Sequence, residues 1–279
     1  MSSEPLTPGG PEADASQDLV AQGYDAVYAG MALSPTLLRI WKEHATGPDY
    51  PDDFYHISFL TLAELRRMAA DLRLSPGMTF ADLACGMGGP GLWLARETGA
   101  NLIGIDLSAV GVLQAARRAE VLGLSGTTRF ATGALEQTEI QTATVDAIMS
   151  VDALQYSCGK RRAFQEIGRI LRPSRRLAFT AFEVYAQRTA GLPVIGIDPV
   201  EDYRSLLERS GFKVLAYEET TGWRERLTDA YEAVITEQQT LRNEMGPLAV
   251  AALLSEITVT LERQLYRRRV FALAERVLS

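Results

Sequence analysis

The spacing of apolar positions divides the chain into three parts. From Leu19 to Trp41, apolar residues recur at helical intervals (Leu19, Val20, Val27, Leu37, Leu38, Trp41), and Pro35 splits the run into two short helices. Gly47 to His56, GPDYPDDFYH, is a loop by its proline, glycine and aspartate content. Thr61 to Leu74 is helical again. Leu62, Leu65, Met68, Ala69 and Leu72 share one face, and Ser75-Pro76-Gly77 ends it. Residues 1–18, polar and rich in proline, glycine and acids, are expected to form a disordered tail.

From Met78 the pattern changes. Short apolar runs of the kind buried on both faces alternate with helical segments. The runs predict strands at Met78–Ala84, Asn101–Ile105, Thr128–Thr132, Val145–Val151, Leu177–Phe182 and Phe212–Tyr217. The helical spacings predict helices from Gly91 to Glu97, Val110 to Leu122, Arg161 to Leu171 and Pro199 to Ser210, the last followed by Gly211 as a C-terminal cap. Beyond residue 220, two long helical patterns (Leu227–Met245 and Leu248–Leu265) flank Gly246-Pro247 and precede a last strand at Val270–Ala274. The fold expected is α/β: a Rossmann-like, doubly wound, mostly parallel seven-stranded sheet, with N-terminal lid helices and a helical insertion before the last strand. In such a sheet, ligands bind beyond the carboxyl ends of the strands, where extra helices can wall a pocket.

Composition narrows the partners. The chain has 28 basic and 35 acidic residues, a net charge of -7, which gives phosphate backbones little to attract. The densest basic run, Arg267-Arg268-Arg269, reads as a solvated strand end. The only cysteines, Cys85 and Cys158, form neither a disulfide framework nor a zinc pattern, and adjacent Asp52-Asp53 reads as a solvated loop rather than a metal site. The N-terminal segment lacks the basic start and apolar core of a signal peptide, and no apolar run approaches the roughly 20 residues that span a bilayer. The reading is a cytoplasmic protein, a monomer or homodimer, that handles a small molecule without nucleic acid, membrane or metal.

The stretch DLACGMGGPG, Asp82 to Gly91, carries the chemistry. Gly86, Gly88 and Gly91 spell G-x-G-x-x-G, the fingerprint of dinucleotide sites. Such a strand is normally apolar up to the first glycine, yet here Asp82 ends it. A carboxylate there suits a cationic ligand better than a pyrophosphate, and burying it without a partner is costly. Asp106, in Gly104-Ile105-Asp106-Leu107-Ser108, ends the second strand and can accept both hydroxyls of a ribose. That feature is common to nicotinamide and adenosyl sites and leaves both open.

The segments FADLACGMGGPGLWLA, GIDLS, DAIMSVDALQY and EIGRILRP, in this order, resemble the class I S-adenosylmethionine-dependent methyltransferases. The likeness covers residues 55–220 well and the rest loosely. It is nearest to the small-molecule C-, N- and O-methyltransferases of bacterial natural-product pathways and to sterol and tocopherol methyltransferases. It implies a single methyltransferase domain over 19–279: a lid (19–75), a cofactor-binding core (76–220) and a substrate cap (221–267). It implies S-adenosylmethionine as methyl donor, with S-adenosylhomocysteine as product. Asp82 would orient the glycine loop or meet the methionine amino group. Ala84, Gly86 and Gly88 would approach the donor closely, Asp106 would hold the ribose, and Leu107 would pack on the adenine. Ala134 and Leu135 would border the adenine amino group, and Val151 and Gln155 would lie beside the methionine portion. Two departures stand out: the acid the family carries at the adenine edge is absent from Gly133-Ala134, and its Pro-Gly-Gly turn reads Pro173-Ser174-Arg175. FYHISFL, Phe54 to Leu60, resembles the family's His-x-Gly-Tyr-Trp box, with Ser58 and Phe59 in place of Gly and Tyr.

Methyl transfer from a sulfonium is an in-line displacement, so the protein mainly aligns the nucleophile and excludes water. A base helps when the nucleophile must lose a proton. The catalytic candidates are His56, as base or orienting group, Glu183, as a second base, and Tyr156. The substrate pocket is expected to take in Tyr24, Tyr28, Phe59, Tyr156 and Trp223. Two other readings remain: a methyltransferase fold that binds S-adenosylmethionine but catalyses another reaction, such as a cyclisation, and, less favoured, an NAD-dependent oxidoreductase.

Overall fold

The structure, a computed structural model, describes residues 11–185 and 199–277. Strands β1 (Thr79–Leu83), β2 (Asn101–Asp106), β3 (Thr128–Thr132), β4 (Val145–Val151), β5 (Leu171–Val184), β6 (Phe212–Glu219) and β7 (Arg267–Arg276) form one sheet in the order β3-β2-β1-β4-β5-β7-β6. The strands β1 to β5 pair in parallel, and β7 runs antiparallel between β5 and β6. Alternate residues of the central strands feed two cores, one on each face. Ala81, Leu83 and Ile148 pack with Phe164 and Phe179 on one side, and Phe80, Ala147 and Met149 with Leu65 and Trp93 on the other. This explains why those strands read as unbroken apolar runs.

Helices α3 (Leu62–Leu72), α4 (Gly89–Thr98), α5 (Ala109–Val121), α6 (Lys160–Ile170) and α7 (Tyr203–Arg209) belong to the wound core. The α3 helix starts with a full capping box, Thr61 and Glu64 each bonding the other's backbone amide. The N-terminal helices α1 (Pro11–Met31) and α2 (Pro35–Ile40), the latter running into a π-helical turn at Trp41–Thr46, pack on an insertion of three helices: α8 (Trp223–Thr236), α9 (Gln238–Met245) and α10 (Pro247–Arg263). They share a third core, in which Val27, Met31, Trp41, Leu227, Tyr231, Leu241, Val250 and Ile257 meet.

Three expectations change. The α1 helix is described from Pro11, inside the segment expected to be a disordered tail. The insertion has three helices where two were predicted. The expected turn before the fifth strand is a register shift within the long β5, and Ser174 takes the left-handed conformation there (φ 59°), which glycine would adopt without strain.

The chain winds outward from β1 in both directions, toward β2 and β3 on one side and toward β4 and β5 on the other. The reversal leaves a crevice at the carboxyl ends of β1 and β4.

Candidate active site

A cavity occupies that crevice. Asp82, Ala84, Cys85, Gly86, Asp106, Leu107 and Val151 line its sheet side, and α1, the loop around His56, α8 and α10 close it from above.

Asp82 is buried against the start of α4 and accepts a hydrogen bond from the Gly91 amide. Burial, and then the nearby Asp106, push its carboxyl up to about 7. Gly86 has a left-handed backbone (φ 51°), and its amide donates to Asp106 Oδ2 at 2.7 Å, while the Ser108 amide donates to Oδ1 at 2.8 Å. Burial holds the Asp106 carboxyl above the ordinary carboxylate range. Each oxygen keeps a lone pair for a ligand hydroxyl. A Cβ on Gly86 would come within 2.7 Å of the Tyr28 hydroxyl, so this glycine lets α1 close down on the loop. Asp25 fixes that helix in place, accepting from the Ser108 hydroxyl and, at 3.2 Å, from the Val110 amide at the start of α5.

Three residues expected beside the donor or the substrate are not among the residues that line the cavity. Gly88 caps α4 with φ 78°, and its Cβ position meets Ala115 of α5 at 2.9 Å; it packs helices rather than lining the cavity. Ala134 is drawn into a local bridge with Gln137, while its neighbours Gly133, Leu135 and Glu136 line the cavity. Trp223 lies behind the wall, its indole 5.6 Å from Phe182 and its Nε1–H donating to Glu219 at 2.8 Å.

The catalytic candidates separate in the same way. Glu183 is away from the cavity, its carboxylate engaged by the Arg268 guanidinium, the Tyr217 hydroxyl and the Tyr203 amide. His56 lines the cavity, but burial lowers its ring to about 3, which makes it a poor base. The Ser58 amide donates to its Nδ1 at 3.1 Å, which assigns the proton of the neutral ring to Nε2. That Nε2 is buried and has no partner among the described residues. Tyr156 lines the cavity and donates to Glu256 Oε1 at 2.7 Å; Tyr24 of α1 donates to Oε2 at 3.2 Å. Burial raises the Glu256 carboxyl. Tyr28, Phe59, Leu135, Val151 and Gln155 also line the cavity.

The loop that carries His56 is held from several sides. The Trp41 indole donates to Ser58 O at 3.1 Å, the Arg118 guanidinium to Tyr55 O at 2.9 Å, and the Phe59 amide to Asp152 Oδ2 at 2.9 Å. The other oxygen of Asp152 takes Arg269 Nε at 2.7 Å, and Arg269 Nη1 reaches Glu64 Oε1 of the α3 capping box at 2.7 Å. Gly89, outside the G-x-G-x-x-G spacing, is also needed, because its Cβ position lies 2.2 Å from Phe54 O.

Sequence reasoning missed Glu256, Tyr231, Thr260, Glu136 and Arg267, all lining residues. It also misread the arginine run as solvated: Arg267 and Arg269 are buried, at 7% and 0% exposure. Among the described residues, no helix is long and apolar enough to cross a membrane.

Residues 80–174 match the family described as a methyltransferase domain. A sterol 24-C-methyltransferase of Yarrowia lipolytica is 29% identical over 162 residues, covering 56% of this chain and 42% of that protein. Methyltransferase GfsG of Streptomyces halstedii is 26% identical over 191 residues, 64% of this chain and 68% of GfsG. The chain spans less than half the length of the sterol methyltransferases it matches. Among solved structures, the [4+2]-cyclase SpnF superposes with a TM-score of 0.71 at 25% identity, over 95% of this chain and 97% of SpnF.

Proposed function

We infer that this chain, which carries a methyltransferase domain and the class I methyltransferase fold, transfers the methyl group of S-adenosylmethionine to a small, partly apolar acceptor. The observation that carries the reading is the pair of buried carboxylates, Asp82 and Asp106, set around the left-handed Gly86 at the switch point of the sheet. Asp82 offers a negative charge where the donor's cationic methionine end would lie, and Asp106 offers acceptors for the two ribose hydroxyls. Leu107 and Leu135 supply apolar contact for the adenine, with Glu136 at that edge. When bound, S-adenosylmethionine supplies a methyl group already activated on sulfur, so the acid–base demand on the protein is small.

The remaining residues bind, orient and exclude water. His56, neutral and carrying its proton on Nε2, acts as a hydrogen-bond donor that orients a ligand and is not a base. Phe59, Phe182, Leu227 and Tyr231 give the acceptor an apolar wall, and Tyr24 with Tyr156 closes the roof over Glu256. The insertion 221–267 is the acceptor cap. The net charge of -7 supports a small-molecule acceptor over a nucleic acid, and a cytoplasmic monomer or homodimer is part of the same proposal.

Near-full-length likeness to SpnF supports a second reading, in which S-adenosylmethionine stays bound and the cap promotes a cyclisation. Parallel calorimetric titrations with S-adenosylmethionine, S-adenosylhomocysteine and NAD test the site. Micromolar binding of both adenosyl ligands and none of NAD is expected; binding of NAD alone overturns it. Transfer of label from methyl-labelled S-adenosylmethionine to small acceptors then separates the two readings, since a cyclase leaves the methyl group where it was.

A further inference from the structure

The three successive arginines at the start of β7 meet three different fates. Arg268 is neutralised by Glu183, and Arg269 by Asp152 and Glu64. Arg267 is 7% exposed and has no carboxylate partner among the described residues, and its Nε lacks any hydrogen-bond acceptor there. Its guanidinium stacks on Phe182, 4.3 Å from the ring centroid, and it lines the cavity beside Tyr231, Glu256 and Thr260. Glu256 is near enough for its carboxyl to feel the guanidinium's charge, but it makes no ion-pair contact with Arg267, and its oxygens take the Tyr24 and Tyr156 hydroxyls. A guanidinium stacked on an aromatic ring keeps its in-plane N–H donors free for a planar oxygen acceptor. A buried cation with no carboxylate in direct contact is only partly neutralised, which disfavours its burial. An acceptor that brought an anionic oxygen would remove that cost on binding, and a neutral hydrocarbon would leave it in place.

We propose that Arg267 is the docking point for an anionic oxygen of the acceptor, so that the substrate class is an apolar molecule carrying one carboxylate, enolate or phosphate-type oxygen. This rests on the donor and acceptor assignment above. The apolar body lies along Phe59, Phe182, Leu227 and Tyr231, and the charged end meets the guanidinium at the β7 side of the chamber.

The test uses the whole protein saturated with S-adenosylhomocysteine, titrated calorimetrically with decanoate and with decanol below their aggregation limits. Decanoate is expected to bind about tenfold or more tightly than decanol, a difference of about 1.4 kcal/mol. Arg267→Met should abolish that preference, and Arg267→Lys should restore part of it. Arg267→Met should keep or raise the melting temperature, since it removes a buried charge that has no direct ion-pair contact while filling similar space; a clear fall would assign Arg267 a structural role and overturn the proposal. Equal binding of the two probes, binding of neither, or a preference that survives Arg267→Met overturns it too. If Arg267→Met instead weakens S-adenosylhomocysteine at least tenfold and leaves decanoate untouched, the anion is the donor's own carboxylate and the proposal fails. Failure of the wild-type protein to take up S-adenosylhomocysteine is a different result, which defeats the methyltransferase reading itself.

Discussion

The carboxylate of Asp82 fills the space that a Cβ on Gly91 would need: that position lies 2.5 Å from Asp82 Oδ2 and 3.2 Å from its Cβ. The last glycine of the G-x-G-x-x-G spacing thus makes room for the acid at the end of β1. Gly91→Ala should push the carboxylate off its place and cost about 1–3 kcal/mol, shared between stability and donor binding. Calorimetric affinity for S-adenosylmethionine and a denaturant curve read the two parts. Gly126→Ala, where nothing lies within 4 Å of the added methyl, is the control and should change neither. Donor affinity unchanged in Gly91→Ala would separate Asp82 from the donor.

Asp82 also gives donor binding a pH dependence. Its carboxyl sits at about 7 in the free protein because burial disfavours the charge. A cationic ligand favours the ionised form, so below pH 7 binding must expel a proton, and affinity should fall by up to about tenfold per unit. Titrations at pH 6 and pH 8, in buffers of different ionisation enthalpy, count that proton. Asp82→Asn should bind more weakly at pH 8 and lose this component of the pH dependence. A variant that keeps the wild-type dependence would assign the proton elsewhere.

How far the sequence exposes such relationships depends on how local they are. The strands, their order of appearance and Asp82 and Asp106 are legible because a parallel strand buried on both faces writes a continuous apolar run ending at the crevice. Gly89 and Gly91 are visible as glycines, but the neighbours that require them, Phe54 O and Asp82, meet them only after folding. Glu256 left a signal that went unread. It shares a helix face with the buried Leu253, Ile257 and Thr260, and an acid within an apolar stripe is costly unless a site needs it. The arginine run carried no such signal. Whether Arg267 is solvated or buried depends on Phe182 and on an insertion helix, neither adjacent to it in sequence. Glu183's place away from the cavity was hidden for the same reason, since its arginine partner lies 85 residues away.

His56 should make the protein acid-sensitive. Its ring is lowered to about 3 by burial, against an ordinary value near 6.5. Between those values the unfolded chain holds a proton that the folded chain does not, so stability rises with pH across this window. It is lost at up to about 1.4 kcal/mol per unit as pH falls from 6.5 toward 3. Asp82 and Asp106, raised in the fold, act in the opposite direction, so the comparison must be between variants. Unfolding free energies of wild type and His56→Gln at pH 4, 5, 6 and 7 should converge at low pH, with the wild type more stable only near neutrality. A constant difference across the series would mean that the histidine is solvated or charged in the fold.

The pair Asp152–Arg269 joins the cavity to the rest of the molecule. Arg269 is fully buried and binds Asp152, Glu64 and the Thr220 hydroxyl, while Asp152 holds the Phe59 amide, so the end of β4, the cap of α3, the end of β6 and the lid loop meet at one guanidinium. Asp152→Asn keeps the shape but removes one of two charges facing the arginine, and Arg269→Met strands both carboxylates. Breaking such a pair from one side costs about 3–5 kcal/mol, because the surviving charge stays buried. The arginine variant should be the more damaging, since among the described residues Glu64 then retains only Arg226 as a cation, at 3.9 Å. The double variant Asp152→Asn/Arg269→Met should cost less than the sum of the single ones by about 1–3 kcal/mol, the coupling expected of residues in one network. Because Asp152 also fixes the Phe59 amide, Asp152→Asn should weaken adenosyl-ligand binding beyond what its stability loss explains, and hydrogen exchange at Phe59 should quicken. Additive unfolding energies in the double-mutant cycle, with unchanged exchange at Phe59, would show that the lid loop is held by its apolar contacts and not by this ion pair.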